Sequence, residues 1–356
     1  MIVEKGKLKS ALNKISVFVD KEVNGVGSKI LFSAKNGVAS ITACDGSNVG
    51  VFSFAVADQT ELEFVVEYKA LASAAALRGD VQIEYKDNII TVSQGETSMV
   101  FPATGRDTFA FEEKSVDDGK SISINSSVFK RLIGKVSYAR KEKDSRPFVT
   151  GVHLKLQDSR LMTESTDALR MLRDYITLEE KNDAKFAGVL SPKCIRAIET
   201  MDEDKNITVT MNESAIGFQS DDMKVYMPKL NCNYPDASRF FNVDAKATFV
   251  LDKEKVLESM EILALSENKA LKCKKSGTRI IFAMEDGISD VKDKIEMESS
   301  TGEDFEFCLE FEHFRDVFRN LKEGSNKVTF FWQDPLNIIM FKDEENFEGV
   351  MMPLRK

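Results

Sequence analysis

Apolar residues recur at helical spacing in three stretches of the chain, with polar residues between them. A period of about 3.6 residues places such positions on one face of an α-helix that lies against a sheet. The pattern predicts a long amphipathic helix beginning near each of Lys7, Ser127 and Lys253, and a shorter helix further along each stretch. The apolar stripes include Leu8, Ala11, Leu12, Ile15 and Val19 in the first helix, Phe129, Leu132, Ile133 and Val136 in the third, and Phe311, Phe314, Phe318 and Leu321 in the sixth.

Segments rich in β-branched residues lie between the predicted helices. Runs such as SKILFSAKNGVASITACDG are typical of hairpins in an antiparallel sheet. Helices and strands keep the same order in each stretch, and a proline recurs at Pro102, Pro228 and Pro353, in steps of 126 and 125 residues. The sequence therefore predicts an α+β fold of three repeated domains, each an antiparallel sheet with two helices on one face. The boundaries that fit this repeat are residues 1–118, 119–245 and 246–356.

Length and composition favour several domains and no membrane span. The chain of 356 residues exceeds the roughly 250–300 residues beyond which single hydrophobic cores stop growing. Hydrophobic residues make up 42% and charged residues 30%, so each repeat can bury a core and present a charged surface. No apolar run approaches the roughly 20 residues of a membrane helix, and Met1 is followed by charged sequence. We therefore expect a cytoplasmic protein that does not enter a membrane.

Residues that could perform catalysis or bind a metal are few. The five cysteines are scattered and have no CxxC spacing, which favours reduced thiols over disulfides or a metal site. The two histidines, His153 and His313, do not have the spacing of metal ligands, and no phosphate-binding loop motif occurs. We therefore expect no metal, no cofactor and no catalytic residue, and a protein that is not an enzyme.

Basic residues are concentrated on the polar faces of two long helices. Residues 126–146 hold seven basic and two acidic side chains, a net charge of +5 in a chain whose formal net charge is −9. Such segregation suits a protein that accepts a polyanion along one track, although lysines also simply solvate exposed helix faces. The fifth and sixth helices mix acidic with basic residues, so the pattern does not extend to every helix. The candidate DNA-binding residues are Lys7, Lys9, Lys14, Lys130, Arg131, Lys135, Arg140, Lys141, Lys143, Arg146, Lys193 and Arg196.

Three motifs resemble one known family. The stretch RPFVTGVHLKLQDSRLMTESTDALRM, residues 146–171, contains a Thr-Asp-x-x-Arg turn, YPD follows at 234–236, and VMMPLR ends the chain at 350–355. Together with the length and the threefold repeat, these motifs resemble the bacterial sliding clamp, the β subunit of DNA polymerase III. The family usually has Gly and His where this chain has Ala168 and Leu169.

The resemblance implies a ring of six domains, formed by two chains head to tail as a homodimer, with double-stranded DNA held without regard to sequence. It also implies that the replicative DNA polymerase, the clamp loader and other proteins dock clamp-binding peptides in a groove between the second and third domains. An apolar cleft rimmed by two arginines suits such an extended peptide. The groove residues carried over by the resemblance are Val149, Thr166, Ala168, Leu169, Arg170, Met171, Pro235, Arg239, Phe240, Leu336, Ile338, Val350, Met352 and Pro353.

Two other functions stay open on the sequence. One is a DNA-binding processivity or scaffold protein that closes no ring, and the mass in solution separates it from a clamp because a ring needs two chains. The other is an enzyme of unrecognised type, which the lack of a catalytic constellation disfavours.

Overall fold

The computed structural model describes residues 1–20, 26–109, 113–116, 118–179, 183–285, 290–321 and 324–355. Within these residues lie 25 strands and six α-helices. The helices are α1 (Lys5–Ile15), α2 (Tyr68–Ala74), α3 (Ser126–Ser137), α4 (Pro192–Glu199), α5 (Lys253–Leu263) and α6 (Phe311–Arg319).

The strands form three consecutive series along the chain. The first is β1 (Ile2–Val3), β2 (Lys29–Lys35), β3 (Val38–Cys44), β4 (Val49–Ala55), β5 (Leu62–Glu67), β6 (Val81–Lys86), β7 (Ile89–Gln94) and β8 (Thr97–Pro102). The second is β9 (Lys120–Asn125), β10 (Val152–Gln157), β11 (Arg160–Thr166), β12 (Arg170–Thr177), β13 (Phe186–Leu190), β14 (Asn206–Met211), β15 (Ala215–Ser220) and β16 (Met223–Pro228). The third is β17 (Ala247–Asp252), β18 (Ala270–Ser276), β19 (Arg279–Glu285), β20 (Asp290–Glu296), β21 (Ser299–Gly302), β22 (Glu306–Glu310), β23 (Lys327–Trp332), β24 (Ile339–Lys342) and β25 (Glu348–Met351).

The three long helices begin within two residues of the predicted positions. Four of the five apolar residues predicted for the first stripe are buried on α1, whereas Val19 is buried beyond a 3-10 turn at Ser16–Phe18. The helix α5 begins where it does because the Asp252 carboxylate accepts the backbone N–H groups of Glu254 and Lys255. Periodicity therefore located these helices, and side-chain capping by Asp252 sets the first residue of α5.

The described chain divides into two compact units. Unit 1 comprises Met1–Lys130 with Lys193–Lys229, and unit 2 comprises Arg131–Pro192 with Leu230–Lys356. Unit 1 contains an eight-stranded sheet in the order β5-β2-β3-β4-β16-β15-β14-β9 and a four-stranded sheet in the order β1-β6-β7-β8. Unit 2 contains a nine-stranded sheet in the order β13-β10-β11-β12-β25-β24-β23-β17-β21 and a four-stranded sheet in the order β20-β19-β18-β22.

Neighbouring strands pair antiparallel in all four sheets, so the predicted α+β class with antiparallel sheets is confirmed. The units do not follow the repeat, because two of the sheets continue from one predicted domain into the next. In unit 1, β4 pairs with β16, and in unit 2, β12 pairs with β25. The second strand series therefore contributes to both units, and the three domain boundaries stay a prediction.

Aromatic packing holds the strands of the large sheet in unit 2. The Phe330 ring lies 5.1 Å from that of Phe249, 5.6 Å from that of Phe314 on α6 and 5.8 Å from that of Phe341 on β24. All four side chains are fully buried. This core fixes β23 and β24 beside β25, the strand that carries the site described next.

Candidate peptide-binding cleft and basic residues

The nine-stranded sheet places four side chains in one row. Its register pairs Thr166 with Met171, Met171 with Val350, and Val350 with Met340. Residues paired directly across neighbouring strands share a face of the sheet, so this row crosses β11, β12, β25 and β24. Met171 and Val350 in its middle are the floor of a cleft.

One wall of the cleft is the segment 234–241, which lies on this row. Ala237 and Phe241 are buried against the floor residues. The segment is anchored at its start, because the ring of Tyr234 stacks on that of His153 with centroids 4.4 Å apart. The cleft wall is therefore built from a connection that contains no strand of its own.

The facing wall is the turn between β11 and β12, residues 167–170, which we call the lip. Ala168 has a φ of +75°, a left-handed conformation that favours glycine. The lip keeps this conformation because the Asp167 Oδ1 accepts the backbone N–H groups of Leu169 and Arg170 at 2.8 and 2.9 Å. The Leu169 carbonyl in turn accepts the N–H of Met352 at 2.8 Å, which ties the lip to the end of β25.

Between these walls lies an open cleft of about 280 Å³. Leu169, Phe240 and Met352 line it although they are 50%, 37% and 51% exposed. Other hollows of the described chain have linings rich in charged and hydroxyl groups, such as the one at Lys155, Asp158 and Arg160. The residues around the cleft are Phe148, Thr166, Ala168, Leu169, Arg170, Met171, Pro235, Asp236, Ala237, Arg239, Phe240, Ile338, Val350 and Met352.

The structure brings eleven of the fourteen predicted groove residues together around this cleft. Val149 and Pro353 are buried outside it, and Leu336 is 65% exposed away from it. Phe148 takes the place expected for Val149, because neighbouring residues of the 3-10 turn Pro147–Val149 point to different sides. Sequence reasoning also missed Asp236 and Ala237, although both lie between predicted residues.

The two predicted rim arginines differ. Arg239 is exposed, and its guanidinium lies over the ring of Phe240 at 4.8 Å. The Arg170 side chain is only 7% exposed and is held by Asp167 and Asp316. Both arginines thus lie at the cleft, but the charge of Arg170 is already paired inside unit 2, and only Arg239 presents an exposed guanidinium.

Lys135 is a second correction. It was expected on the polar face of α3, yet its side chain is 4% exposed and its Nζ donates to Asp343 at 2.8 Å. Asp343 is itself fully buried, and the Lys135 ammonium also lies 5.0 Å from the ring centroid of Phe347. A lysine so enclosed has no surface for a phosphate, so Lys135 is not a DNA contact in this conformation.

Several other candidate DNA-binding residues have acidic partners. In unit 1, Lys14 pairs with Asp202, Lys130 with Glu203, Lys193 with Asp45 and Lys7 with Glu4. In unit 2, Arg131 lies 3.9 Å from Glu345, while Lys141 and Arg146 share Asp144. The pKa of the Asp144 carboxyl is lowered, chiefly by its hydrogen bonds from Arg146. The remaining candidates are Lys9, Lys143 and Arg196, which are exposed, and Arg140, which is half-buried.

Each of the two histidines lies beside one carboxylate. Within the described ranges, no group of three or more His, Cys, Asp or Glu side chains could hold a metal ion. His153 Nδ1 lies 2.9 Å from Glu164, and His313 Nε2 lies 3.4 Å from Asp167.

Among the described residues, none of the helices combines the length and the apolar composition that a membrane span requires.

Comparison with known proteins identifies the fold and the proteins that this chain is similar to. The protein-family model for the DNA polymerase III beta subunit, central domain, matches residues 123–236 of this chain. The Beta sliding clamp of Streptococcus pneumoniae is 24% identical over 78% of this chain and 76% of its own, and that of Bacillus subtilis is 20% identical over 77% and 75%. The structure superimposes on the DNA polymerase III subunit beta of Pseudomonas aeruginosa with a TM-score of 0.91 at 18% identity, and on the beta subunit of Streptococcus pyogenes with 0.90 at 18%. These structures cover 100% of this chain and 100% and 99% of their own.

The architecture is thus that of a DNA sliding clamp, with its antiparallel sheets and few helices. Residues 123–236 match the central domain of DNA polymerase III beta subunits, and the chain is similar in sequence and in fold to bacterial sliding clamps.

Proposed function

We propose that this chain is a processivity factor that closes head to tail with a second copy around duplex DNA and tethers the replicative polymerase through the cleft. The observation that carries the proposal is the open apolar cleft of unit 2 in a chain of sliding-clamp fold. A clamp acts by topological linkage and not by chemistry, so it needs no catalytic group. The comparisons favour this function over a scaffold that closes no ring and over an enzyme.

The cleft suits an extended peptide with apolar side chains. Its floor is apolar, and a bound peptide would remove the exposed side chains of Leu169, Phe240 and Met352 from water, which favours binding. Arg239 offers one exposed positive charge at the wall for an acidic group of the partner. We assign this cleft to the polymerase, the clamp loader and other clamp-binding proteins, which would compete for it.

DNA contact rests on the predicted basic residues other than Lys135. Because phosphate charge does not depend on base sequence, Lys and Arg side chains hold duplex DNA without reading it. The carboxylates beside Lys14, Lys130 and Lys193 weaken each contact, which suits a protein that slides. We propose that the exposed Lys9, Lys143 and Arg196 make the strongest contacts.

Closure of the ring needs two complementary surfaces. β8 and β20 are edge strands in their own sheets, and an edge strand can pair with another chain. Leu265, just beyond α5, is 81% exposed, the highest value among the exposed large apolar side chains. We propose that β8 of one copy pairs with β20 of the other, with Leu265 covered, and that the domains of residues 1–118, 119–245 and 246–356 repeat around the ring.

The test measures the mass of the protein in solution and its retention on circular and on linear DNA. Light scattering at micromolar concentration should give twice the mass of one chain, and protein assembled on circular DNA should be released when the circle is cut once. A monomer in solution, or equal retention on circular and linear DNA, would show that the chain does not work as a closed clamp.

A further inference from the structure

We propose that Asp316 on α6 is a positioning residue for the peptide cleft, acting through the buried guanidinium of Arg170 on the lip. The inference rests on the proposed function of the cleft. It concerns a residue that is not among those that line the cleft in the described chain.

The Arg170 side chain leaves the cleft wall and points into unit 2. Its Nε donates to Asp167 at 3.0 Å and its Nη1 donates to Asp316 at 2.9 Å. Its Nη2 donates to the carbonyl of Tyr138 at 3.0 Å, just beyond the last residue of α3. Three hydrogen bonds in three directions fix a planar guanidinium, so its backbone is fixed as well.

These bonds join the lip to two helices. Asp316 belongs to α6, and Tyr138 follows α3, where a helix C-terminus favours a cation beside its last carbonyl groups. The Tyr138 ring also lies 5.3 Å from the guanidinium carbon. The lip therefore has supports of its own outside the sheet.

The lip needs such support. Ala168 holds a left-handed φ of +75°, which costs energy for a residue with a side chain. Asp167 bends the turn through its bonds to two backbone N–H groups, and it is also a partner of Arg170. Loosening the guanidinium would therefore remove one of the bonds that hold the Asp167 carboxylate and would shift the position of Leu169.

Asp316 is the part of this network that can be changed without touching the cleft. Asparagine has nearly the size and shape of aspartate, and the Asp316 carboxylate is 26% exposed, so the replacement leaves no buried void. His313 on the same helix cannot replace the Asp316 charge, because an imidazole is neutral or positive and never carries the negative charge of a carboxylate. The loss of the Asp316 charge should thus change the position of the lip.

The experiment measures peptide affinity by fluorescence anisotropy, with a fluorescein-labelled extended peptide that carries leucine and phenylalanine anchors. Asp316→Asn should weaken binding on the order of tenfold, and Asp316→Glu should recover most of it. The control is Thr163→Val, which removes a buried hydrogen bond to the Leu132 carbonyl in the same unit and does not touch the lip. The control should lower the thermal midpoint and leave the affinity unchanged.

A second readout separates positioning from general loosening. In protein labelled on methionine methyl groups, the NMR signal of Met352, whose N–H is bonded to the lip, should move in Asp316→Asn and stay in Thr163→Val. If Asp316→Asn fails to fold, Asp316→Ser, which also removes the charge and does not touch the cleft, is measured in its place with the same expectation.

Equal affinity of wild type and Asp316→Asn would overturn the inference, and so would equal loss in the Thr163→Val control. If the wild type itself does not bind the peptide, the cleft assignment fails, and the inference fails with it.

Discussion

Lys135 and Arg170 are basic residues whose charged groups lie inside unit 2. Each is held by carboxylates, Lys135 by Asp343 and Arg170 by Asp167 and Asp316. A buried ion pair adds little net stability, but breaking it leaves a charge without a partner in a medium of low dielectric constant. The role of such a residue therefore follows from the groups around it in the fold more reliably than from its charge alone.

Replacing Lys135 by alanine should therefore destabilise the protein by about 3–5 kcal/mol, because Asp343 would remain buried and unpaired. Urea denaturation measures the loss. The matched control is Lys9→Ala on the exposed side of α1, for which we expect a change within about 0.5 kcal/mol. A small stability change together with a lower DNA affinity in Lys135→Ala would mean that this lysine does reach DNA.

Met352 and Leu336 offer a second comparison between single residues. Both are exposed large apolar side chains, at 51% and 65%, but only Met352 lines the cleft. Met352→Ala should weaken the binding of an apolar peptide by about 1–2 kcal/mol, roughly five- to thirtyfold, because contact area at the cleft is lost. Leu336→Ala should leave the affinity in calorimetry unchanged, and an equal loss in both variants would place the peptide elsewhere.

Among the elements, β25 has the most direct link to the cleft. Its middle residue Gly349 lies between Leu172 on β12 and Phe341 on β24. A Cβ at this position would stand 2.3 Å from Phe341 Cζ and 2.7 Å from Leu172 Cδ2. Both neighbours are fully buried, so neither can move aside.

Gly349→Ala should consequently lower the free energy of unfolding by about 1–3 kcal/mol. The control is Gly134→Ala in α3, where a Cβ meets nothing within 4 Å and alanine favours the helix by roughly 0.5–1 kcal/mol. Thermal unfolding of the two variants should shift in opposite directions. An unchanged midpoint for Gly349→Ala would contradict the close packing of β25.

At the scale of the whole chain, strand pairing and sequence repeat divide the molecule differently. The repeat has three members, whereas the chain forms two compact units, because β4 pairs with β16 and β12 pairs with β25. Backbone hydrogen bonds continue across the predicted boundaries within each unit. We therefore expect the second domain not to fold in isolation as it does in the chain.

The proposed dimer can be tested at the same scale. Leu265→Asp should convert the dimer to a monomer, because a charge would replace the most exposed large apolar side chain at the proposed interface. Sedimentation at micromolar concentration measures this change. Val38→Asp introduces the same charge at another exposed apolar position and should leave the dimer intact, and dissociation of both variants would argue against a specific role for Leu265.

The sequence by itself determined the elements and the chemistry that is local in the chain. Helical periodicity located the long helices within two residues, since an amphipathic stripe depends on residues three and four apart. Recurring prolines and short motifs pointed to the family and to eleven of the cleft residues, because those residues lie in contiguous stretches that carry the resemblance.

Only the tertiary structure decided what each polar group faces. Lys135 and Asp343 are 208 positions apart, and Arg170 and Asp316 are 146 apart, so no local pattern reveals either pair. The tertiary structure also decided that Phe148, and not its neighbour Val149, lines the cleft, because this depends on the direction of one 3-10 turn. Charge and periodicity are properties of the chain, whereas burial and pairing arise when strands distant in sequence form one sheet, and these decide which basic residues remain available to a partner.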